Sequence, residues 1–340
     1  RAQLAAMITH GHRERFAEVI VNRVWQRYLG WGLVEPADDW ENAVASHPQL
    51  LKWLAREFLV SGYDLKHVAR LIMNSHVYQR QVDPAFTAAG GAGERVYAGP
   101  ARRRLSAEQV VDSLFAVAGK EMDVEPLTLD INGRGTVATF LNLGTPRRAW
   151  QFTSLSNERD RPSLAIPKAQ SVVDVLQTFG WRDARQDALT RRDHEPNVLQ
   201  PSALANGIVG RRIAQLSDDS AFTELALRKM DCREMVRLIY RRVLGRAPSE
   251  EELITMDRYL CVTYANRVVK NAPQLIRQKK VLDVSWNNHL SEEANRIKVE
   301  LEKHVLAGDP PTNRLRPEWR ERLEDVVYAL VNSPEFIFVP

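Results

Sequence analysis

The sequence lacks nearly every feature that announces a reaction. Its 340 residues hold two cysteines, Cys232 and Cys261, too few for a disulfide framework and wrongly spaced for a metal knuckle. No His-x-x-x-His pair and no Gly-x-Ser-x-Gly elbow occurs. Gly90-Gly91-Ala92-Gly93 lacks the Lys-Ser/Thr of a phosphate loop. No apolar run reaches the roughly 18 residues of a membrane-spanning helix. An excess of one charge is missing too: 47 basic against 43 acidic residues leave a net charge of +4, dispersed along the chain. Nucleic acid is therefore not an expected partner. No repeat and no signal peptide is visible, and the chain opens at Arg1 inside an amphipathic pattern (Leu4, Met7, Ile8), as a fragment or processed product would.

What is present is ordinary globular composition, with 44% apolar and 26% charged residues. The chain is long enough for two domains or one large one. Its most strongly patterned stretch is Val19 to Arg80. Phe16, Val19, Ile20, Val24 and Tyr28 recur at helical spacing, with Arg23, Arg27 and Asn22 on the flank. Gly30 and Gly32 stop that helix, and the acidic loop Asp38-Asp39-Trp40-Glu41 follows. Ser46-His47-Pro48-Gln49 fits a capping box that predicts Ser46 as an N-cap, and Asp64 opens the next helix. Residues 81–101 read as a surface loop, and Ser106 caps a helix running to Gly119.

Residues 120–201 change character, with glycines, prolines and short β-prone pieces at Thr136–Phe140 and Trp150–Phe152. Helices return at about 202–216, 220–245, 249–270, 291–306 and 317–332, with caps at Ser249 and Ser291. The expected fold is mainly α, a multi-helix globular body with an irregular, short-stranded middle. Its expected parts are an N-terminal helical region (1–119), the middle segment (120–201) and a C-terminal helical region (202–340), packed as one body. Cys232 lies among Met235, Val236 and Ile239, and Cys261 between Leu260 and Val262, so two buried free thiols are expected.

Candidate binding residues are few. Arg23 and Trp25 share the first patterned helix; Asp39 and His47 form the nearest approach to an acid–base or metal cluster. Arg104, Arg191 and Arg192 belong to basic runs able to hold sulfate, phosphate or carboxylate, although acids nearby offer internal pairing. Trp25, Trp31, Trp40 and Trp53 suit either a core or a sugar-stacking platform. His67 and His76 lie nine apart on one predicted helix, on opposite faces. No residue is assigned a catalytic or metal-binding role.

Several motifs carry a family likeness: Asn22-Arg23-Val24-Trp25, Gly30-Trp31-Gly32-Leu33-Val34, Asp38-Asp39-Trp40, Ser46-His47-Pro48-Gln49 and Leu65 through Arg80. Arg103-Arg104-Leu105-Ser106-Ala107-Glu108 continues it, then Leu244-Gly245-Arg246-Ala247-Pro248-Ser249 and the closing Asn332-Ser333-Pro334-Glu335-Phe336. Together they resemble domain of unknown function 1553, a C-terminal domain of large planctomycete proteins often joined upstream to a c-type cytochrome domain. Many members carry a Cys before an Arg pair, where this chain has Asp187 to Arg192 with none. The resemblance implies export to the periplasm or cell envelope and no cofactor in this chain, haem c lying in an upstream domain. The expected role is a non-enzymatic structural or interaction module whose partners are other domains or subunits. The alternative is binding or processing of an anionic polymer such as a sulfated polysaccharide.

Overall fold

The computed structural model describes residues 1–9, 14–82, 97, 99–100, 103–125, 127–129, 141–155, 166–181, 197–275, 284 and 290–339. The fold is mainly α, and the chain forms two compact units, Arg1–Arg104 with Phe338–Pro340, and Leu105–Ile337.

The first unit contains α1 (Ala2–Thr9), α2 (Glu14–Leu29), α3 (Pro48–Val60) and α4 (Leu65–Met73). Ala17, Val21, Trp25 and Leu29 repeat at four-residue steps on α2 and pack against Leu51, Leu54 and Phe58 of α3 and Val68 and Ile72 of α4. The Asp64 carboxylate accepts the Lys66 amide at 2.8 Å and caps α4. Ser46 does not cap α3. Pro48 occupies the first helical turn, which sets the N-cap at His47 without a side-chain cap. Ser46 instead donates both its amide (2.8 Å) and its hydroxyl (3.1 Å) to the Leu33 carbonyl. Because α4 ends at Met73, His76 lies beyond it, and His67 meets Glu57 at 3.1 Å. β1 (Arg103–Arg104) pairs antiparallel with β4 (Phe338–Val339).

The second unit begins with α5 (Ala107–Ala118), where Ser106 and Gln109 close the predicted capping box. β2 (Leu127–Leu129) and β3 (Leu141–Gly144) form an antiparallel pair. Trp150–Phe152 is not β but lies in α6 (Ala149–Leu155), because the Asp112 carboxylate receives the Ala149 amide at 2.7 Å and caps the helix from a distance. The middle also holds α7 (Pro167–Thr178), which the sequence reading passed over despite its initial proline and its buried Ala169, Val172, Val173 and Leu176.

The C-terminal helices are shorter than expected. Extended backbone at Gly207 divides α8 (Leu199–Asn206) from α9 (Ile208–Ala214). Asp231 starts α11 (Cys232–Leu244) anew after α10 (Ala221–Leu227). α12 (Glu250–Met256), capped by a Ser249–Glu252 box, runs into a π-turn (Asp257–Cys261) that ends it well before residue 270. α13 (Glu292–Ala307), capped by Ser291, and α14 (Pro317–Val331) follow, then a 3-10 turn at Pro334–Ile337. The expectation of two free thiols is overturned: Cys232 and Cys261 form a disulfide with their Cα atoms 5.7 Å apart. The π-turn carries Cys261 to the start of α11, and apolar neighbours suit a bridged pair as well as separate thiols.

Candidate functional site

Among the described residues, two places gather polar side chains that could do chemistry, one in each unit. In the first, the turn after α2 is built around Asn22. Its amide donates to the Val34 carbonyl and accepts the Val34 amide, each at 2.9 Å, although Asn22 is fully buried. The expected flank position of Asn22 is thus corrected: a two-way amide tie holds it inside. A Cβ at Gly32 would come within 2.6 Å of the Val34 carbonyl and 3.0 Å of the Asn22 amide, so that approach needs glycine. Glu35 accepts the Gly32 amide (2.6 Å) and the Gln26 amide group (2.9 Å), while Tyr97 donates to the Gly32 carbonyl at 2.6 Å.

Of the anticipated binding residues, Arg23, Trp25, Asp39 and His47 lie around this turn. Arg23 pairs with Asp38 at 2.9 Å. Trp25 is 4% exposed, with its ring edge-on to Tyr97 at 5.3 Å. His47 also meets that tyrosine edge-on, at 5.4 Å, and its Nδ1 lies 3.2 Å from the Ser46 hydroxyl. Asp39 accepts the Glu41 amide at 3.1 Å. Trp53 and Trp31 are exposed and Trp40 is partly buried, so of the four tryptophans Trp25 alone is fully core. Arg104 lies in β1 opposite Phe338. Tyr97 brings Trp25 and His47 together, whereas Arg191 and Arg192 lie outside the described residues, as do the Asp187–Arg192 segment, Thr136–Phe140 and most of the 81–101 loop.

In the second unit a small solvent-open cleft is lined by Asp123, Lys168, Arg212, His304 and Asp309 together with apolar residues including Phe115 and Val209. Beneath it lies the Lys120 ammonium, wholly buried, donating to the carbonyls of Arg212 (2.7 Å) and Gln215 (2.8 Å) and to Asp309 (3.2 Å). Burial pushes this ammonium below its ordinary pKa, and Asp309 pulls it back part of the way. Arg212 binds Asp309 through Nε at 3.0 Å and the Met122 and Glu121 carbonyls through its other nitrogens. Lys168 meets Asp123 at 3.2 Å. Sequence reasoning missed this cluster, whose members lie up to 189 residues apart.

The same arrangement recurs. Arg242 donates to the carbonyls of Val117 and Ala116 at the end of α5, Arg211 to Leu306 at the end of α13, and Arg267 to Ala226 and Arg228 at the end of α10. Each cation meets carbonyls of a helix's last turn or of the residue just after it, at the negative end of its dipole. Carboxylates do the converse: Glu125 receives the Lys168 and Ala169 amides at the start of α7, and burial raises its pKa. Arg246 grips Glu252 and Glu335 with two bonds each, between 2.6 and 2.9 Å. That clamp joins the Leu244–Ser249 motif to the closing Asn332–Phe336 motif.

Among the described residues no helix is long and apolar enough to cross a membrane, and no three His, Cys, Asp or Glu side chains are placed to hold a metal ion. A profile of the family PSD1, protein of unknown function (DUF1553), matches residues 1–260. No curated protein and no solved structure matches the chain.

Proposed function

The chain belongs to this family of unknown function, and from that premise we infer that it is a non-enzymatic structural and interaction module of an exported multidomain envelope protein. The observation that carries the reading is the commitment of its charged groups to its own backbone. Lys120, Arg212, Arg242 and Arg267 each donate to two or more main-chain carbonyls. A donor held this way has little capacity left for a substrate. Export is supported by the Cys232–Cys261 bridge, since disulfides persist in oxidising compartments and are rare in the cytosol.

The planctomycete resemblance supplies the remaining context. The partners are other domains of the same protein or further subunits, and haem c, where present, belongs to an upstream domain. The polysaccharide alternative draws on the Arg clusters and the tryptophans, of which Arg191 and Arg192 lie outside the described residues, Trp25 is core and Trp31 and Trp53 are exposed. Light scattering after size exclusion, with the purified remainder of the native protein added back, tests the reading. A stoichiometric complex is the expected result. A monodisperse monomer that binds neither that remainder nor a second copy would overturn it.

A further inference from the structure

The geometry points to the α3–α4 hairpin as a peripheral docking surface for an anionic lipid bilayer. This goes beyond the module reading and does not depend on it. The outward face of α3 and the turn after it expose apolar side chains that a soluble helix pair would ordinarily cover. Val60 is 79% exposed, Leu65 51% and Trp53 47%. Trp53 and Val60, seven residues apart, share one stripe about 10 Å long on α3. The turn between the helices is sharp, with left-handed backbone at Gly62 and Tyr63, and it carries Val60 and Leu65 on either side.

Cations surround this apolar tip. Lys52 and Arg56 on α3, and Lys66 and Arg70 on α4, are all exposed. None of the four side chains makes an ion pair or hydrogen bond among the described residues. The two acids of the hairpin are engaged locally, Glu57 with His67 at 3.1 Å and Asp64 with the Lys66 amide at 2.8 Å. The surface is therefore positive and apolar at once.

Charge complementarity calls for an anionic partner, and the apolar residues select its kind. Val60 and Leu65 have no polar group with which to read a sugar or a base, and against a hydrated polyanion they would remain in water. At a bilayer they enter the acyl boundary, Trp53 sits at headgroup depth, and the four cations reach the lipid phosphates from their flexible stems. This is surface binding, compatible with the lack of a spanning helix among the described residues.

Co-sedimentation of the intact chain with phosphatidylcholine vesicles, with and without phosphatidylglycerol, tests the proposal. Strong binding is expected only with phosphatidylglycerol present, weakened by salt and accompanied by quenching of tryptophan emission by brominated acyl chains. Lys52→Gln with Lys66→Gln should lower the partition roughly 30-fold, since each surface cation contributes roughly a factor of five. Val60→Asp with Leu65→Asp should abolish it while circular dichroism stays native; the quenching of the unmodified protein decides the matter if that variant misfolds. Absence of binding to anionic vesicles, or equal binding to both kinds, would overturn the proposal. So would binding to dextran sulfate without binding to vesicles, which would assign the surface to a glycan.

Discussion

The two units use their charges in opposite directions. In Arg1–Arg104 the core is aliphatic and aromatic, the one fully buried polar side chain among the described residues is the neutral Asn22, and the hairpin cations face water. In Leu105–Ile337 charges turn inward: Lys120, Glu125, Asp218, Arg267 and Asp309 are all buried. Helix ends account for part of the contrast. Beside longer helices the second unit has four of only seven residues, α6, α9, α10 and α12. Every helix end leaves about four backbone groups without partners. Side chains from distant segments fill them, basic at the C-termini and acidic at the N-termini.

The contrast is broken most severely at Lys120. Lys120→Met should destabilise the second unit by about 3–5 kcal/mol, because the buried Asp309 loses one of its two cations and two helix-end carbonyls lose their donor. Thermal unfolding reads this directly, and a shift no larger than that of an exposed Lys52→Met control would refute the inward use of charge. Next in size comes the disulfide. It closes a loop across a separation of 29 residues, for which chain entropy gives about 3.5 kcal/mol. Cys232→Ala with Cys261→Ala should lower the denaturant midpoint accordingly, and the denatured, unreduced native protein should titrate no free thiol.

In the first unit the sensitive group is neutral. Asn22→Leu should cost about 2–3 kcal/mol by stranding the Val34 amide and carbonyl in the interior. Chemical denaturation should show the loss unchanged between low and high salt, which separates an amide tie from an ionic one.

These sensitive positions were not equally legible in the sequence. The first unit was read closely, because its apolar stripes and the Asp64 cap are local features, as is the Ser106 cap of the second unit. The error at Ser46 was also local: a Ser-x-x-Gln box competed with a proline that belongs in the first helical turn, and the proline decided. The second unit hid its main devices because they are not local. Lys120 and Asp309 are 189 residues apart, and Arg246 and Glu335 are 89 apart, so no spacing rule connects them. Arg246 did stand inside a quoted motif, as did Glu335, but the likeness of two segments does not say that they touch. The disulfide was obscured by a π-turn, which no apolar period forecasts.

The smallest expected effect concerns pH, and it separates two kinds of displaced carboxyl in the second unit. Arg246 hydrogen-bonds Glu252 and holds its pKa down to about 2. A carboxyl lowered by folding stabilises the native state above its unfolded pKa, near 4.3, and that contribution is lost as pH falls towards 2. Glu125, Asp112 and Glu324 are displaced upward instead, chiefly by burial, so their contribution is present in acid and is lost as pH rises through their folded pKa values. The two sets oppose each other, and stability of the second unit should peak at mildly acidic pH. Glu252 is partly exposed, and solvent screening reduces its share to about 1 kcal/mol. Urea unfolding of Glu252→Gln should therefore match the parent protein near pH 2 and fall short of it by about that amount at pH 6. A deficit of equal size at both pH values would mean that Glu252 acts through the Ser249 cap, whose amide it accepts at 2.6 Å, and not through its charge on Arg246.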